Sequence, residues 1–526
     1  MNELLSLAQT KLNDAKVTLV LDDYDRRLLM KSPDAVFVCN RLLPGLDEWI
    51  LLSLMAQKSE QAKILHPYPS ALPKSLRPSV IRPARKRLED RLLRVNFAKK
   101  IAKSVQKGFS IGLAIDFSDH PFGDLGKNLL RPQILKQLRK SKQNVVPVHL
   151  SAERLPGGLL RKALPGLPYH FTSEPVKIHV RLGSPIGPDD IGRLPKNRLW
   201  GKFLQARIFS LGSPLDIKPE HIAPSSSAKD EPLADPVPEH LVAADIEALP
   251  ATAKIASRGP FDVFVAPFGD LPNAMFEIGR LRECTFRAVG EGTGKSRDLD
   301  EHDIYYLQLV IWDRDARRIV GGYRLGQGDQ IFKRFGINGF YTNSLFKMSP
   351  GLYPVLQHAV ELGRTYVVPE YQRHRLSLFL LWKGILHFLL DNPQYRYLIG
   401  PVSISKYYTD VSKGVIVEFL KQHCFDAHLA QYVQPRKPFR PQTKAVNTRL
   451  LAGNLEAFEA LEHFVEDAEP AHASVPVLLR QYLRQNARFI AFNVDPNFSD
   501  CLDGLMLLDM KDLPPETIET LKQEKH

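Results

Sequence analysis

Apolar and polar positions alternate along this chain in blocks that switch between the strand period of two and the helix period of 3.6. Leu4, Leu5, Ala8 and Leu12 mark an amphipathic helix at the start. Ala35 to Asn40 is an apolar strand, and Trp49 to Ala56 is a helix. Residues 88, 92, 95, 98, 101 and 105 recur at helical spacing between Arg82 and Lys107. Ile111 to Ser118 and Val145 to Val148 are further strands. From residue 213 to 258 Pro, Ser, Ala and acids dominate, which predicts an extended linker with a helical patch near Glu239 to Leu249. Regular patterning resumes with a strand at Phe261 to Ala266 and a helix at Asn273 to Arg287. Tyr305 to Trp312 and Ile319 to Leu325 read as an antiparallel meander. Gly336 to Phe346 is a polar-aromatic loop. Thr365 to Val368 is a buried strand ended by Pro369, followed by a polar turn, Glu370 to Arg375, and an apolar helix, Leu376 to Leu390. A strand at Tyr397 to Ser405, a helix at Lys413 to Gln422, and a strand pair at Phe489 to Val494 and Gly504 to Asp509 complete the pattern.

At 526 residues, this is more than one core. The pattern divides into 1–212, a linker at 213–258, and 259–526. The first part is expected to be an α/β domain and the last an α+β domain. A content of 44% hydrophobic and 25% charged residues describes a globular protein. Cys39, Cys284, Cys424 and Cys501 lie far apart, without metal-ligand spacing, which points to a reducing compartment and no metal site. The opening lacks the basic-then-apolar order of a leader, and no run reaches the ~20 apolar residues of a spanning helix. The expected location is the cytoplasm, at most peripheral on the inner face of the membrane.

Charge changes the picture. The formal net charge is +13, but residues 1–212 carry 36 Lys and Arg against 18 Asp and Glu, and the rest carries 35 against 40. A basic excess confined to one domain implies an anionic partner. Arg82 to Lys107 has the composition of an interfacial helix on anionic lipid, or else of a domain helix with a solvated basic face. Nucleic acid is not expected, because no aromatics are interleaved as stacking platforms.

Glu361 and Arg364, three residues apart at a strand entry, are either a structural ion pair or part of a site. Gly290-Glu-Gly-Thr-Gly-Lys-Ser296 has a phosphate-loop flavour. Its first glycine is one residue too close to Gly-Lys, and no apolar helix follows to present an N-terminus, so it is rejected as one.

Two family resemblances add to this. The strand ending at Asn40 resembles the opening motif of the lysophosphatidate acyltransferase family, an Asn-His followed after four residues by Asp. Here Arg41 stands at the His position, Asp47 lies one residue too far on, and a guanidinium cannot accept a proton. The second motif of that family is missing after Ile111 to Ser118. His120 and Asp124 are a late His/Asp pair near that place, one residue too close together. The resemblance therefore implies a glycerolipid-acyltransferase-like α/β domain with degenerate catalytic motifs.

In the second domain, Arg282 with Phe286, Asp300 with Asp303, Arg324, and Glu361 with Arg364 resemble, in order, the acyl-homoserine-lactone synthases of the acetyltransferase-like (GNAT) fold. Phe261 to Leu513 is more closely similar to bacterial aminolipid N-acyltransferases, the ornithine-lipid and glycine-lipid synthases often labelled hemolysin-like. The carrying segments are Glu277-Ile-Gly-Arg-Leu-Arg282, Asp298-Leu-Asp-Glu-His-Asp303, Glu361-Leu-Gly-Arg364, Leu380-Leu-Trp-Lys-Gly384, Gly400-Pro-Val-Ser-Ile-Ser405 and Leu478-Leu-Arg-Gln-Tyr-Leu483. The resemblance implies amide formation from a thioester. Glu361, flanked by Arg364, is then the candidate base. Backbone N–H groups near Val367 and Val368 would hold the oxyanion. Arg282 and Arg324 would clamp the amino-acid carboxylate. Asp300 and Asp303 either bind the ammonium or order the arginines.

The coenzyme A pyrophosphate loop of acetyltransferases carries glycines, and Gln372-Arg-His-Arg-Leu-Ser377 has none. That favours acyl carrier protein, which presents a phosphopantetheine thioester, as donor and co-substrate, with no bound cofactor. Arg373, Arg375 and Lys383 would suit its acidic surface, unless they form only a solvated charged turn. The expected function is transfer of a (3-hydroxy)fatty acyl group to the α-amine of a small amino acid, with the basic domain docked on the membrane. The alternatives are a bifunctional synthase that also O-acylates the product, and a non-enzymatic membrane or carrier-protein adaptor.

Overall fold

The structure, a computed structural model, describes residues 3–43, 45–65, 79–81, 98–115, 127–152, 175–194, 196–212, 231–443, 446–469, 473–496, 498–517 and 519. The chain forms two compact units. One comprises Met1–Ile217, Thr409–Val415 and Gln442–Ser474, the other Lys218–Tyr408, Ile416–Pro441 and Val475–His526.

The first unit is built on a seven-stranded sheet ordered β1-β7-β6-β2-β5-β3-β4. Its strands are β1 (Val17–Val20), β2 (Val36–Asn40), β3 (Ala62–Leu65), β4 (Val80–Ile81), β5 (Ser110–Ile115), β6 (Val145–Ala152) and β7 (Val176–Leu182). All neighbours are parallel except β6 and β7. Parallel strands covered on both faces read as continuous apolar runs. Accordingly every residue of β2 and β5 is buried.

Residues 442–474 return to this unit, although the sequence pattern assigns everything after 259 to the second domain. Asp467 shows why. Its carboxylate is buried and accepts Ser184 N–H at 2.7 Å and Arg207 Nη2 at 3.2 Å. A charge that deep is tolerable only with such partners.

The second unit carries an eight-stranded sheet ordered β16-β17-β14-β13-β11-β10-β9-β8. Its strands are β8 (Lys254–Arg258), β9 (Phe261–Pro267), β10 (Leu307–Asp313), β11 (Arg318–Gln327), β13 (Ala359–Val367), β14 (Tyr397–Ile404), β16 (Arg488–Asp495) and β17 (Cys501–Asp509). Strands β12 (Phe346–Met348) and β15 (Val433–Pro435) form a separate small ribbon. The β8 to β11 meander is antiparallel, and only β13 and β14 run parallel. Helices Ala274–Ala288 and Arg375–Asp391 match the predicted ones. Strand β13 begins six residues before the expected strand, because Glu361 and Arg364 interrupt the apolar pattern that marks its second half.

The linker is shorter than its composition predicts. Residues 213–230 lie outside the described residues. From 231 the chain is tied down: Glu231 N–H donates to Gly294 O at 2.9 Å and Ala234 N–H to Ser296 O at 3.1 Å. The Glu239–Ala248 helix buries Val242, Ala243 and Ile246 in the core of the second unit.

Candidate active site

Strands β13 and β14 pair over only three residues, the last being Glu361 opposite Ile399. Beyond that they part. At Gly400 a Cβ would lie 2.3 Å from Leu362 O, so only glycine permits this close start to the fork. The fork opens into a cavity of about 80 Å3, with Gly363, Arg364 and Thr365 on one side and Pro401, Val402 and Ser403 on the other. Phe286, Tyr341, Tyr482 and Phe498 close it. A ladder partner is missing along this gap, so backbone polar groups are available to a ligand.

Three carboxylates line the same cavity: Glu291, Asp495 and Asp503. Asp503 is 2% exposed and accepts the Ser403 hydroxyl at 2.7 Å. Burial, with help from the charges of Asp495 and Glu291, pushes its carboxyl up to about 8, against the opposing Ser403 bond and Arg364. Burial raises Glu291 to about 7. The sequence reading missed all three. The available signal was Asp503 itself, a carboxylate in the apolar run Cys501 to Leu508.

Behind the cavity, the predicted charged residues form one ladder. Arg364 Nε lies 2.8 Å from Asp298 and its Nη2 is 3.4 Å from Asp300. Arg324 Nη1 is 2.6 Å from Asp300 and 3.4 Å from Asp303. Arg282 Nη1 is 2.8 Å from Asp303, and its Nη2 donates to Gln308 at 2.7 Å. Burial opposes ionisation of Asp300, but His302, Arg324 and Arg364 outweigh it and hold the carboxyl well below its usual range. Arg282 and Arg324 are each 1% exposed and do not reach the cavity lining. Of the two roles open to Asp300 and Asp303, the ladder matches ordering of the arginines. Glu301 and His302 also lie near Asp300, but two guanidinium groups already hold that carboxylate, which sets the electrostatics against a metal ion.

Arg364 is the rung that enters the cavity. Its φ is +51°, a left-handed conformation uncommon for a residue with a side chain. The register of β11 against β13 slips at this place, between Gly322 and Arg324, so a bulge turns the side chain. The ion pairs, with the Tyr341 and Phe498 rings 4.9 and 5.3 Å from the guanidinium, hold that strained backbone. Phe286, also predicted, lines the cavity with its ring 5.3 Å from that of Phe498.

Glu361 is placed differently from a free base. It is 1% exposed and is not part of the cavity lining. Oε1 accepts Thr342 N–H at 2.7 Å, and Oε2 accepts Tyr341 N–H at 3.1 Å and the Tyr306 hydroxyl. On the cavity side, Tyr482 and Tyr323 hydroxyls are 2.9 Å apart and Thr365 bonds to both. Burial, then Tyr323, keeps the Tyr482 phenol protonated well above its ordinary range.

The turn before the Arg375–Asp391 helix uses part of its backbone donors locally. Tyr371, Gln372, His374 and Ser377 N–H groups donate to Val368, Pro369, Tyr371 and His374 carbonyls. Val368 N–H donates to Val320 O at 2.9 Å, so it is not an oxyanion donor, whereas the N–H of Val367 falls on the opposite edge by strand alternation. Arg373 is exposed. The Arg375 side chain lies outside the described residues, and Lys383 is half-buried and already engaged. The glycine-rich loop after Gly290 wraps a carboxylate of the chain itself: Gly294 and Thr293 N–H groups donate to Glu283 at 2.9 and 3.1 Å.

In the first unit, Arg41 is locked rather than open. Its Nη2 donates to Glu48 at 3.0 Å and to Ala114 O at 3.2 Å, and Nη1 is 3.5 Å from Asp47. Burial works against its charge, but Glu48 and Asp47 outweigh it and hold the guanidinium protonated. Asp47 Oδ1 accepts Leu43 N–H at 2.8 Å, and the Asn40 amide pairs with both backbone groups of Leu150. His120 and Asp124 lie outside the described residues, as do residues 82–97 of the predicted basic helix.

A split sheet with a cavity at the fork and a helix following β13 is an acyl-transfer fold, and residues 281–383 match the family model of the acetyltransferase (GNAT) domain. A glycine N(alpha)-acyltransferase of Phocaeicola vulgatus is 35% identical over 36% of this chain and 61% of its own length. One of Bacteroides thetaiotaomicron is 32% identical over 42% of this chain and 68% of its own length. The chain belongs to the acyltransferase family of these two proteins, and it spans less than two thirds of the first of them. Among solved structures, a CoA-dependent acyl-homoserine lactone synthase, BjaI, with SAM and isopentyl-CoA, is 12% identical, covering 49% of this chain and 87% of that one with a TM-score of 0.26.

Proposed function

We propose that the second unit is an N-acyltransferase that moves a fatty acyl group from a thioester to the α-amine of an amino acid, with glycine the first acceptor to test. The single observation that carries this is Asp503 beside Arg364 in the cavity at the β-strand fork. An amino acid needs a cation for its carboxylate and a base for its ammonium, and Arg364 and Asp503 supply them. A carboxyl raised to about 8 is matched to that proton transfer. The freed amine attacks the thioester carbon, and backbone N–H groups along the gap, that of Val367 among them, stabilise the oxyanion. When the C–S bond breaks, Tyr482 protonates the departing thiolate and is resupplied through Tyr323 and Thr365. Of the two protons the nitrogen sheds, one ends on sulfur and the other leaves to water.

The lack of any glycine in the 372–377 turn favours acyl carrier protein over coenzyme A as donor, since side chains there keep a pyrophosphate from approaching the backbone closely. The basic surplus of residues 1–212 favours an anionic membrane as the surface on which the first unit docks, from the cytoplasmic side. That unit reads as a lysophospholipid-acyltransferase-like scaffold, and the Arg41 lock argues against its O-acylating the product. One observation favours a second acceptor: three carboxylates against one arginine suit a diamino acid such as ornithine. The test is to supply the full chain with a 3-hydroxyacyl carrier protein and either amino acid, and to identify products by mass spectrometry. An N-acyl amino acid is expected. Thioester hydrolysis alone with every amino acid would sink the reading.

A further inference from the structure

Glu361 has the position of a catalytic carboxylate in the chain pattern but not its surroundings. It stands at the last paired residue before β13 and β14 part. Its two oxygens accept from the N–H groups of Tyr341 and Thr342 and from the Tyr306 hydroxyl. Backbone N–H groups cannot turn round to become acceptors. A carboxylate held by two of them has its oxygens committed as acceptors to the backbone, away from the cavity lining.

What Glu361 holds is the backbone of Tyr341. The ring of that residue lies 4.9 Å from the Arg364 guanidinium and 5.3 Å from that of Arg324. Its hydroxyl donates to Asp495 at 3.4 Å, and it lines the cavity. Tyr341 thus touches both ends of the acceptor site, the arginine for carboxylate and the acids for ammonium. Tyr306 adds the second support, since its ring also packs 5.3 Å from Arg324 while its hydroxyl bonds Glu361.

Resting on the amino-acid acylation reading above, the geometry points to Glu361 as a positioning residue, which acts through Tyr341 to set the distance between the carboxylate and ammonium ends of the acceptor site. It touches neither substrate nor reacting atoms. Its replacement changes how the amino acid is held rather than the proton transfer.

The experiment uses the full chain and compares E361Q, E361D and Y341L with wild type, varying amino acid and acyl donor separately across pH. A Gln side chain aims an N–H at groups that are themselves donors, so E361Q is expected to raise KM for the amino acid about tenfold or more. The KM for the acyl donor stays within about twofold, and the acid limb of the kcat/KM profile is kept. Y341L gives the same split, and E361D, which keeps an acceptor, restores part of it. A loss of the acid limb with an unchanged amino-acid KM in E361Q would make Glu361 the base and overturn the inference. So would an amino-acid KM in Y341L equal to wild type, which settles the matter even if E361Q does not fold. Wild type unable to acylate any amino acid fails the functional reading first, and the inference with it.

Discussion

Ser403 and Asp503 face each other directly across β14 and β17, and the Ser403 hydroxyl donates to Asp503 Oδ1 at 2.7 Å. That bond favours the ionised carboxylate and opposes the upward push of burial. Removing it in S403A raises the Asp503 pKa further. The acid limb of kcat/KM moves to higher pH, and the loss of activity at neutral pH is largely recovered on the alkaline side. A profile that drops equally at all pH values would assign Ser403 to something other than the base.

Asp503 itself is tested by D503N. Without the base, kcat/KM should fall by about 10²- to 10⁴-fold, the usual worth of a general base. Stability should move the opposite way. A carboxyl raised to about 8 in the folded chain binds a proton there that the unfolded chain has already lost. The folded state therefore holds more protons between the ordinary carboxyl pKa and about 8, and stability falls as pH rises through that window. Asn mimics the protonated acid. D503N is expected to match wild type in thermal denaturation only below about pH 4, the ordinary carboxyl pKa, and to exceed it by a margin that grows up to about pH 8 and stays at pH 9.

The arginines of the ladder separate stability from chemistry. Arg324 is fully buried, paired to Asp300 and Asp303, and outside the cavity lining. R324M leaves the buried Asp303 and the half-buried Asp300 without their shared cation, at a cost of about 3 kcal/mol or more. Denaturant unfolding should show that loss. R364K, by contrast, keeps a charge in the cavity but loses the planar fork and the stacking on Tyr341 and Phe498. It should raise KM for the amino acid more than it lowers kcat.

How much of this was legible depended on whether a residue's meaning lay in its own neighbourhood. Arg282, Asp300, Asp303, Arg324 and Arg364 stand out by their order along the chain, which resembles that of the acyl-homoserine-lactone synthases, and the fold does gather them in one ladder. The role of Glu361 was not legible, because its partners are mainly backbone N–H groups at 341 and 342, which leave no mark in a sequence. Asp503 was passed over because its chemistry comes from a register partner a hundred positions away. The fold was read in its elements but not in its division. Nothing near Asp467 announces that its carboxylate belongs against Ser184 and Arg207, and that contact is what returns 442–474 to the first unit.

The acyl donor supplies the last prediction. In the turn from Tyr371 to Ser377 four backbone N–H groups donate to carbonyls at Val368, Pro369, Tyr371 and His374, and the Gln372 side chain donates to Val367 O at 3.0 Å. No glycine lets a pyrophosphate approach the backbone closely there, whereas a phosphopantetheine arm asks for no such approach at that point. Arg373 is exposed at the same turn, where an acidic carrier surface would meet it. Acyl carrier protein should therefore give a higher kcat/KM than the matching acyl-CoA. R373E should lower the value for the carrier-protein donor by about tenfold at low salt, with the difference shrinking as salt screens the charge. The same variant should leave turnover of an acyl-pantetheine thioester, which lacks the carrier surface, close to wild type. Equal losses with both donors would place Arg373 in the chemistry of the thioester rather than in the grip on its carrier.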